Sequence, residues 1–192
     1  MSTSQPFNYE GFFAENVPVT ARIPNRRAKY DFAVAYPAPE TLPLDDLADS
    51  LRDALVREGD ELAYYPDPAG MPALREFVAD KLGRDRDIHI TSSEVLLTSG
   101  SGEAIGMLIQ AMTNPGDVLL TEEFVYLGTL RQMRRYGADV VGVKCDDGGI
   151  IPEELEATLT RLTGEGKTVK FLYPIPAFQN PVGFTVPLER RQ

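Results

Sequence analysis

The chain has 192 residues, 43% hydrophobic and 25% charged, a balance typical of a globular protein long enough to form one domain with a core. Its 29 acidic residues outnumber its 19 basic ones, and the formal net charge of −10 argues against nucleic acid or an anionic membrane as the main partner. A single cysteine and a single histidine exclude an intramolecular disulfide and argue against a Cys/His metal site.

The first residues, "MSTSQPFNYEGFF", contain neither a basic region nor an apolar stretch, so they do not have the pattern of a signal peptide. No apolar run approaches the ~18 residues needed to cross a bilayer. A lone cysteine is also typical of a reducing compartment. We therefore expect a soluble, cytoplasmic protein.

Taken in chain order, residues 1–43 contain six prolines that interrupt any long periodic pattern, and they predict an extended N-terminal arm. From residue 44 the pattern becomes helical, with Asp45 and Asp46 in the first turn and Gly59 as a stop signal. A turn-rich segment, "YYPDPAGMP", leads to a second predicted helix near Pro72–Leu82. Residues 44–192 are predicted to form the layered part of the chain.

Strands and helices then alternate to the end of the sequence. Strands are predicted at "EVLLTSG", "VLLTE", "ADVVGVKC" and "TVKFLYPI", and helices at "EAIGMLIQAM", "LGTLRQMRRYG" and "PEELEATLTRL". This alternation predicts an α/β fold with a mostly parallel sheet and right-handed crossovers. In such sheets ligands lie beyond the carboxyl ends of the strands, so the residues that follow each strand are the candidates for a site.

One candidate is "TSGSGEA", where Gly100 and Gly102 flank Ser101 between a predicted strand and a predicted helix. Free N–H groups at a helix N-terminus, beside small hydroxyls, can bind a phosphate. The segment is neither GxGxxG nor a P-loop, and a plain glycine-rich turn capped by serine is an equally good interpretation.

Two further candidates follow other strands. Tyr126 lies between a strand and a helix, where its ring can either cover a planar ligand or close the core. Asn180 precedes Pro181, which biases its backbone towards extended geometry and can hold its amide in one orientation. Taken alone, Tyr126 suits a core role and Asn180 an ordinary turn ending at Gly183.

Together these segments resemble class I/II aminotransferases, which are fold-type-I enzymes dependent on pyridoxal 5′-phosphate. The matching pieces are "YYPDPAGMPALREFVADKL", "TSGSGEAI", "NPGDVLLTEEFVYLGTL" and "YPIPAFQNPVG", and the likeness extends over nearly the whole chain from about residue 30. "FNYEGFF" and "PAPETLP" look most like the subgroup that acts on aromatic amino acids, 2-aminoadipate and kynurenine. The resemblance implies an incomplete large domain of three α/β/α layers that follows the arm.

The same resemblance implies roles for single residues. Gly100, Ser101 and Gly102 would hold the cofactor phosphate at the helix N-terminus. Tyr126 would stack on the pyridine ring, and Asn180 would hydrogen-bond the phenolic oxygen of the ring. Many relatives carry glutamine or another side chain where this chain has Gly102.

Three more positions concern the partner subunit and the substrate. Tyr65 matches the family tyrosine that reaches the phosphate bound by the other subunit, which implies a homodimer. Ala35 and Tyr36 match the part of the arm near the substrate, and Ala35 stands where relatives usually have glycine. The implied substrates are an amino acid and a 2-oxo acid.

The family's Schiff-base lysine lies further along the chain than "PLERRQ", at which this sequence ends. Lys29, Lys81, Lys144 and Lys167 fall outside its position, so none is predicted to be catalytic. We expect an N-terminal part of a transaminase that is inactive alone. The alternatives are a lyase or decarboxylase of the same fold, a non-catalytic binding or regulatory module, and a remnant without function.

Overall fold

The computed structural model describes residues 8–13, 29 and 37–192. The chain divides into two compact units, residues 20–97 and residues 98–192 together with residues 1–19. The predicted arm, residues 1–43, lies mostly outside the described residues, so its boundary at residue 44 stays a prediction.

The unit of residues 20–97 contains both helices that the sequence predicts there, α1 (Leu44–Glu58) and α2 (Pro72–Arg86). Helix α1 is followed by the capping residue Gly59, whose φ of 51° lies in the region that glycine tolerates best. Helix α2 begins at Pro72 as predicted and continues about one turn beyond the predicted end. Short 3-10 helices occupy Pro39–Thr41, Gly59–Ala63 and Ser92–Glu94.

Arg75 joins α2 to the segment that follows it. Its Nε and Nη2 donate hydrogen bonds to the Ser92 carbonyl at 3.0 and 2.9 Å, and its Nη1 lies 3.2 Å from the Asp67 carboxylate. Only 13% of the Arg75 side chain is exposed. The guanidinium therefore fixes two loops onto one helix face.

The strand predicted at "EVLLTSG" does not form, and this prediction is wrong. Residues 95–98 have no regular secondary structure, and their backbone is held instead by a hydrogen bond from the Leu97 N–H to the Ala69 carbonyl at 3.0 Å. A strand needs a neighbouring strand to pair with. Among the described residues of the 20–97 unit, no strand is available for that pairing.

In the second unit, strands and helices alternate as the sequence predicts. Its helices are α3 (Ser101–Met112), α4 (Leu127–Arg135), α5 (Pro152–Gly164) and α6 (Leu188–Arg191). Its strands are β1 (Val118–Glu122), β2 (Asp139–Val143), β3 (Cys145–Asp146), β4 (Gly149–Ile150) and β5 (Val169–Tyr173). β2, β1 and β5 form a parallel sheet in that order, while β3 and β4 pair as a short antiparallel ribbon.

Alternating residues of β1 build two cores on opposite faces of the sheet. Leu119 packs with Ile109 of α3 and Met133 of α4, whereas Leu120 packs with Leu162 of α5. All five residues of β1 are buried, as expected for a central strand covered on both faces. The predicted α/β class, with a mostly parallel sheet between helical layers, is confirmed.

Replacing Arg75 by alanine should lower the free energy of unfolding by about 1–3 kcal/mol, because a largely buried charged donor and two hydrogen bonds to the Ser92 carbonyl are lost. The matched control is Arg84→Ala, since Arg84 is 65% exposed and pairs with the neighbouring Asp85. That control should change stability by less than ~1 kcal/mol. Urea unfolding followed by circular dichroism measures both, and equal effects would contradict the role of Arg75.

Candidate functional site

A cavity of ≈ 170 Å³ lies where α3 and α4 begin, on the α3 and α4 face of the sheet at its carboxyl edge. Three of the residues predicted from the sequence, Ser101, Gly102 and Tyr126, border this region. Tyr126 is brought there by strand β1, because parallel strands bring the segments that follow them to one edge. The residues that line the cavity are Ser101, Gly102, Ile105, Tyr126, Gly128, Thr129, Gln132 and Tyr173.

The N-terminus of α3 forms one wall. Gly100 precedes the helix with a φ of 92°, which favours glycine although an added Cβ would meet nothing within 4 Å. The first N–H groups of a helix have no carbonyl partner within it, so the start of α3 presents donors to the cavity. The Glu103 carboxylate accepts a hydrogen bond from the Ser99 N–H, outside the helix. A Cβ at Gly102 would make only an ordinary contact with Gln132 Nε2, at 3.5 Å.

Tyr126 also lines the cavity and is half exposed. Its ring lies directly against the backbone of Gly128, where a Cβ would be 2.4 Å from Tyr126 Cε1. That separation is far shorter than any non-bonded contact, so the ring occupies this place only because residue 128 has no side chain. Gly128 is a site residue that the sequence reasoning missed.

Thr129, Gln132 and Tyr173 were also missed. Thr129 Oγ1 donates a hydrogen bond of 3.2 Å to the Tyr173 hydroxyl, which joins α4 to the end of β5. Tyr173 is the last residue of its strand, so it lies at the same carboxyl edge of the sheet, but a rule that considers only residues after each strand does not select it. The α4 residues follow Tyr126 at intervals of three, which places them on one helix face.

Asn180 does not line the cavity; it is exposed on a turn whose preceding residue, Gln179, is 2% exposed. Gln179 Nε2 donates to Glu122 Oε2 at 2.8 Å and to the Phe124 carbonyl at 2.6 Å. Phe124 lies two residues before Tyr126. The turn that carries Asn180 is therefore attached to the segment that carries Tyr126.

The remaining predicted site residues lie elsewhere. Tyr65 belongs to the 20–97 unit and is fully exposed. Ala35 and Tyr36 lie outside the described residues. Within 8–13, 29 and 37–192, no group of three or more His, Cys, Asp or Glu side chains is arranged to hold a metal ion. No helix in this part of the chain is long and apolar enough to cross a membrane.

Four lysines form ion pairs with carboxylates, and none of these four lines the cavity. Lys170, a lysine that the sequence reasoning did not consider, lies near the start of β5 and pairs with Asp117 at 3.4 Å, at the amino end of the sheet. The other such pairs are Lys81 with Asp85, Lys144 with Glu154 and Lys167 with Asp139.

Cys145 is a half-buried residue of β3 whose thiol donates to the Val143 carbonyl at 3.4 Å. Burial raises the pKa of this thiol, and the nearby carboxylates of Glu122, Glu123 and Asp146 raise it further. A raised pKa keeps the sulfur protonated at neutral pH, which is the opposite of what a nucleophile needs.

A model of the aminotransferase class I and II family matches residues 34–191. The chain belongs to this family. The family resemblance seen in the sequence is thus confirmed, and the match extends through the α3 turn, Tyr126 and the Asn180 turn.

Among curated aminotransferases, the chain is 34% identical over 156 residues to aromatic-amino-acid aminotransferase 1 of Thermococcus litoralis, and covers 37% of it with 81% of its own length. It is 30% identical over 179 residues to 2-aminoadipate transaminase of Thermus thermophilus, and covers 42% of it with 93% of its own length. The chain therefore spans about two fifths of the length of these relatives.

Solved aminotransferases have the same fold. The Pyrococcus horikoshii kynurenine aminotransferase, in complex with PMP, matches with a TM-score of 0.72 and 33% identity, over 81% of this chain and 38% of that one. The alpha-aminoadipate aminotransferase of Thermus thermophilus, complexed with N-(5′-phosphopyridoxyl)-L-leucine, matches with a TM-score of 0.71 and 34% identity, over 83% of this chain and 38% of that one.

Replacing Gly128 by alanine should displace the Tyr126 ring, because the new Cβ would lie 2.4 Å from Cε1. Helix stability should not fall, since alanine is favoured over glycine in a helix by ~1 kcal/mol. Tyrosine ring signals in NMR spectra report the displacement. Gly164→Ala is the matched control, because nothing lies within 4 Å of a Cβ there. Unchanged Tyr126 ring signals in the Gly128 variant would contradict the packing.

The alkylation rate of Cys145 should rise with pH. The midpoint of that rise should lie at a higher pH in the folded protein than in the urea-unfolded chain. The sign follows from burial, which raises the pKa of the thiol in the folded protein. Iodoacetamide kinetics measured across the alkaline range test this. A folded-state midpoint at or below the unfolded one would show that Cys145 is not shielded.

Proposed function

We propose that this chain holds pyridoxal 5′-phosphate for an aminotransferase that moves an amino group from an amino acid to a 2-oxo acid. The observation that carries the proposal is the cavity between the α3 N-terminus and Tyr126, in a chain that belongs to the aminotransferase family. The names of the relatives favour transamination over the lyase or decarboxylase alternative.

The residues at this edge fit a phosphorylated pyridine ring. Backbone N–H groups at the start of α3 and the Ser101 hydroxyl can donate hydrogen bonds to a phosphate. The helix dipole favours an anion at the same place. The missing side chain at Gly128 lets the Tyr126 ring lie close against the backbone of α4. Gly100, Ser101 and Gly102 would hold the phosphate, and Tyr126 would cover the ring.

When bound, the cofactor supplies an electron sink for charge that develops at the substrate α-carbon. The chain's own residues bind and orient it. The Asn180 amide would donate to the phenolic oxygen and so favour its deprotonated form, since a hydrogen bond to the charged form of a group stabilises that form. None of the lysines in this chain is assigned the covalent role.

We propose that residues 1–43 act as an arm and residues 44–192 as the first part of the cofactor domain. Ala35 and Tyr36 would then lie near the substrate, and Tyr65 would reach the phosphate bound by a second copy. The working enzyme would be a cytoplasmic homodimer, and amino acid biosynthesis is a suitable setting for it.

Pyridoxamine 5′-phosphate is a suitable probe because it carries an amine and cannot form a Schiff base with surface lysines. The 192-residue chain should bind it more tightly than pyridoxamine, which lacks the phosphate. Tyr126→Ala should weaken binding by about 2- to 10-fold, the effect of one aromatic stacking contact. Titrations followed by NMR measure these affinities.

Tyr64→Ala is the control for this experiment, since Tyr64 is an exposed tyrosine of the other unit to which no role is assigned. Equal affinity for the phosphorylated and unphosphorylated probes would reject the α3 turn as a phosphate site. Unchanged binding in the Tyr126 variant would reject the stacking role.

A further inference from the structure

Gln179 is unusually enclosed for a residue on a turn near the surface. Its side chain is 2% exposed, and its amide group makes three hydrogen bonds. The amide nitrogen donates to Glu122 Oε2 and to the Phe124 carbonyl, and the amide oxygen accepts from the Val182 N–H at 2.8 Å. A glutamine has two donors and one acceptor group, so this side chain is fully used.

The backbone of Gln179 is held as firmly as its side chain. Its N–H donates to the Phe184 carbonyl at 2.9 Å, and its own carbonyl accepts from the Gly183 N–H at 2.6 Å. The turn that contains Asn180 thus closes on Gln179 from both sides. Asn180 is the next residue, so its position follows directly from that of Gln179.

The Gln179 side chain is hydrogen-bonded to a buried carboxylate, that of Glu122. Glu122 is 1% exposed, at the end of the central strand β1, and its second oxygen accepts from the Ile175 N–H at 3.0 Å. A buried charge is tolerated only when hydrogen bonds replace its lost hydration. The Glu122 carboxylate therefore depends on Gln179 and on the Ile175 N–H for the hydrogen bonds that replace water.

We propose that Gln179 is a positioning residue, which fixes the Asn180 turn onto the end of β1 through Glu122 and Phe124 and so sets where the Asn180 amide meets the cofactor. The inference deepens the proposed function and rests on it for the role of Asn180. The tether itself depends only on the contacts of Gln179, and it can be tested without any ligand.

Hydrogen exchange tests the tether. In Gln179→Leu, the Val182 N–H loses its acceptor and should exchange at least about tenfold faster, as should the Ile175 N–H at the weakened Glu122 site. The Leu120 N–H in the central strand should keep its protection if the variant is folded. Gln110→Leu makes the same chemical change at an exposed position of α3 and should alter none of these rates.

A second variant covers the case in which the leucine variant does not fold. Gln179→Glu keeps an acceptor for Val182 but places a second carboxylate against Glu122, and the two groups repel each other when both are ionised. A shared proton then restores a donor at low pH. Protection of the Val182 N–H should therefore fall as the pH rises, whereas the wild type should show only the normal pH dependence of exchange.

Binding tests the consequence for Asn180. Gln179→Leu should weaken the binding of pyridoxamine 5′-phosphate about as much as Asn180→Ala does, and the double variant should be no weaker than either. The 3-deoxy analogue lacks the phenolic oxygen. It should bind wild type and both single variants equally, because the contact that Gln179 positions is then missing.

Each result decides one of the two claims. Unchanged exchange at Val182 in the leucine variant overturns the tether. If that variant does not fold, protection of Val182 in the glutamate variant that does not fall as the pH rises overturns it instead. The positioning role is overturned if Gln179→Leu exchanges faster but binds the probe as tightly as the wild type, while Asn180→Ala weakens binding. If the wild type does not bind the probe at all, the proposed function fails, and the tether is then decided by the exchange rates alone.

Discussion

The central strand β1 is the constraint on which the rest of this unit depends. Its five residues are all buried, and it pairs in parallel with β2 on one side and β5 on the other. Parallel pairing requires that each strand return by a crossover, so the segments that follow the strands emerge at one edge. The α4 start and the Asn180 turn are collected there for this reason.

The end of β1 also determines where the turn after β5 lies. Glu122 is its last residue, and a carboxylate that is 1% exposed is costly unless it is hydrogen-bonded. Gln179 and the Ile175 N–H meet that requirement from a segment more than fifty residues away. The polar contact that satisfies the charge therefore also determines where the turn after β5 lies.

Much of the fold could be predicted from residue patterns. Helix start and stop signals such as Pro72 and Gly59, together with the periodic apolar runs, correctly located helices α1 to α5 and the three parallel strands, whereas the short helix α6 was not predicted. Strand prediction was wrong at "EVLLTSG", because local β-propensity does not provide a pairing partner. Gly128 was missed as well, since its importance lies in the 2.4 Å approach of the Tyr126 ring and not in any motif.

The sequence by itself determined the α/β order of elements, the family, and the candidate residues at strand ends, because periodicity, turn residues and motif spacing are local properties of the chain. Only the tertiary structure decided which of them meet. It placed Ser101, Gly102 and Tyr126 on one cavity with Tyr173, and it joined Gln179 to Glu122. Such contacts depend on packing and on satisfying buried polar groups between distant segments, which no local pattern specifies.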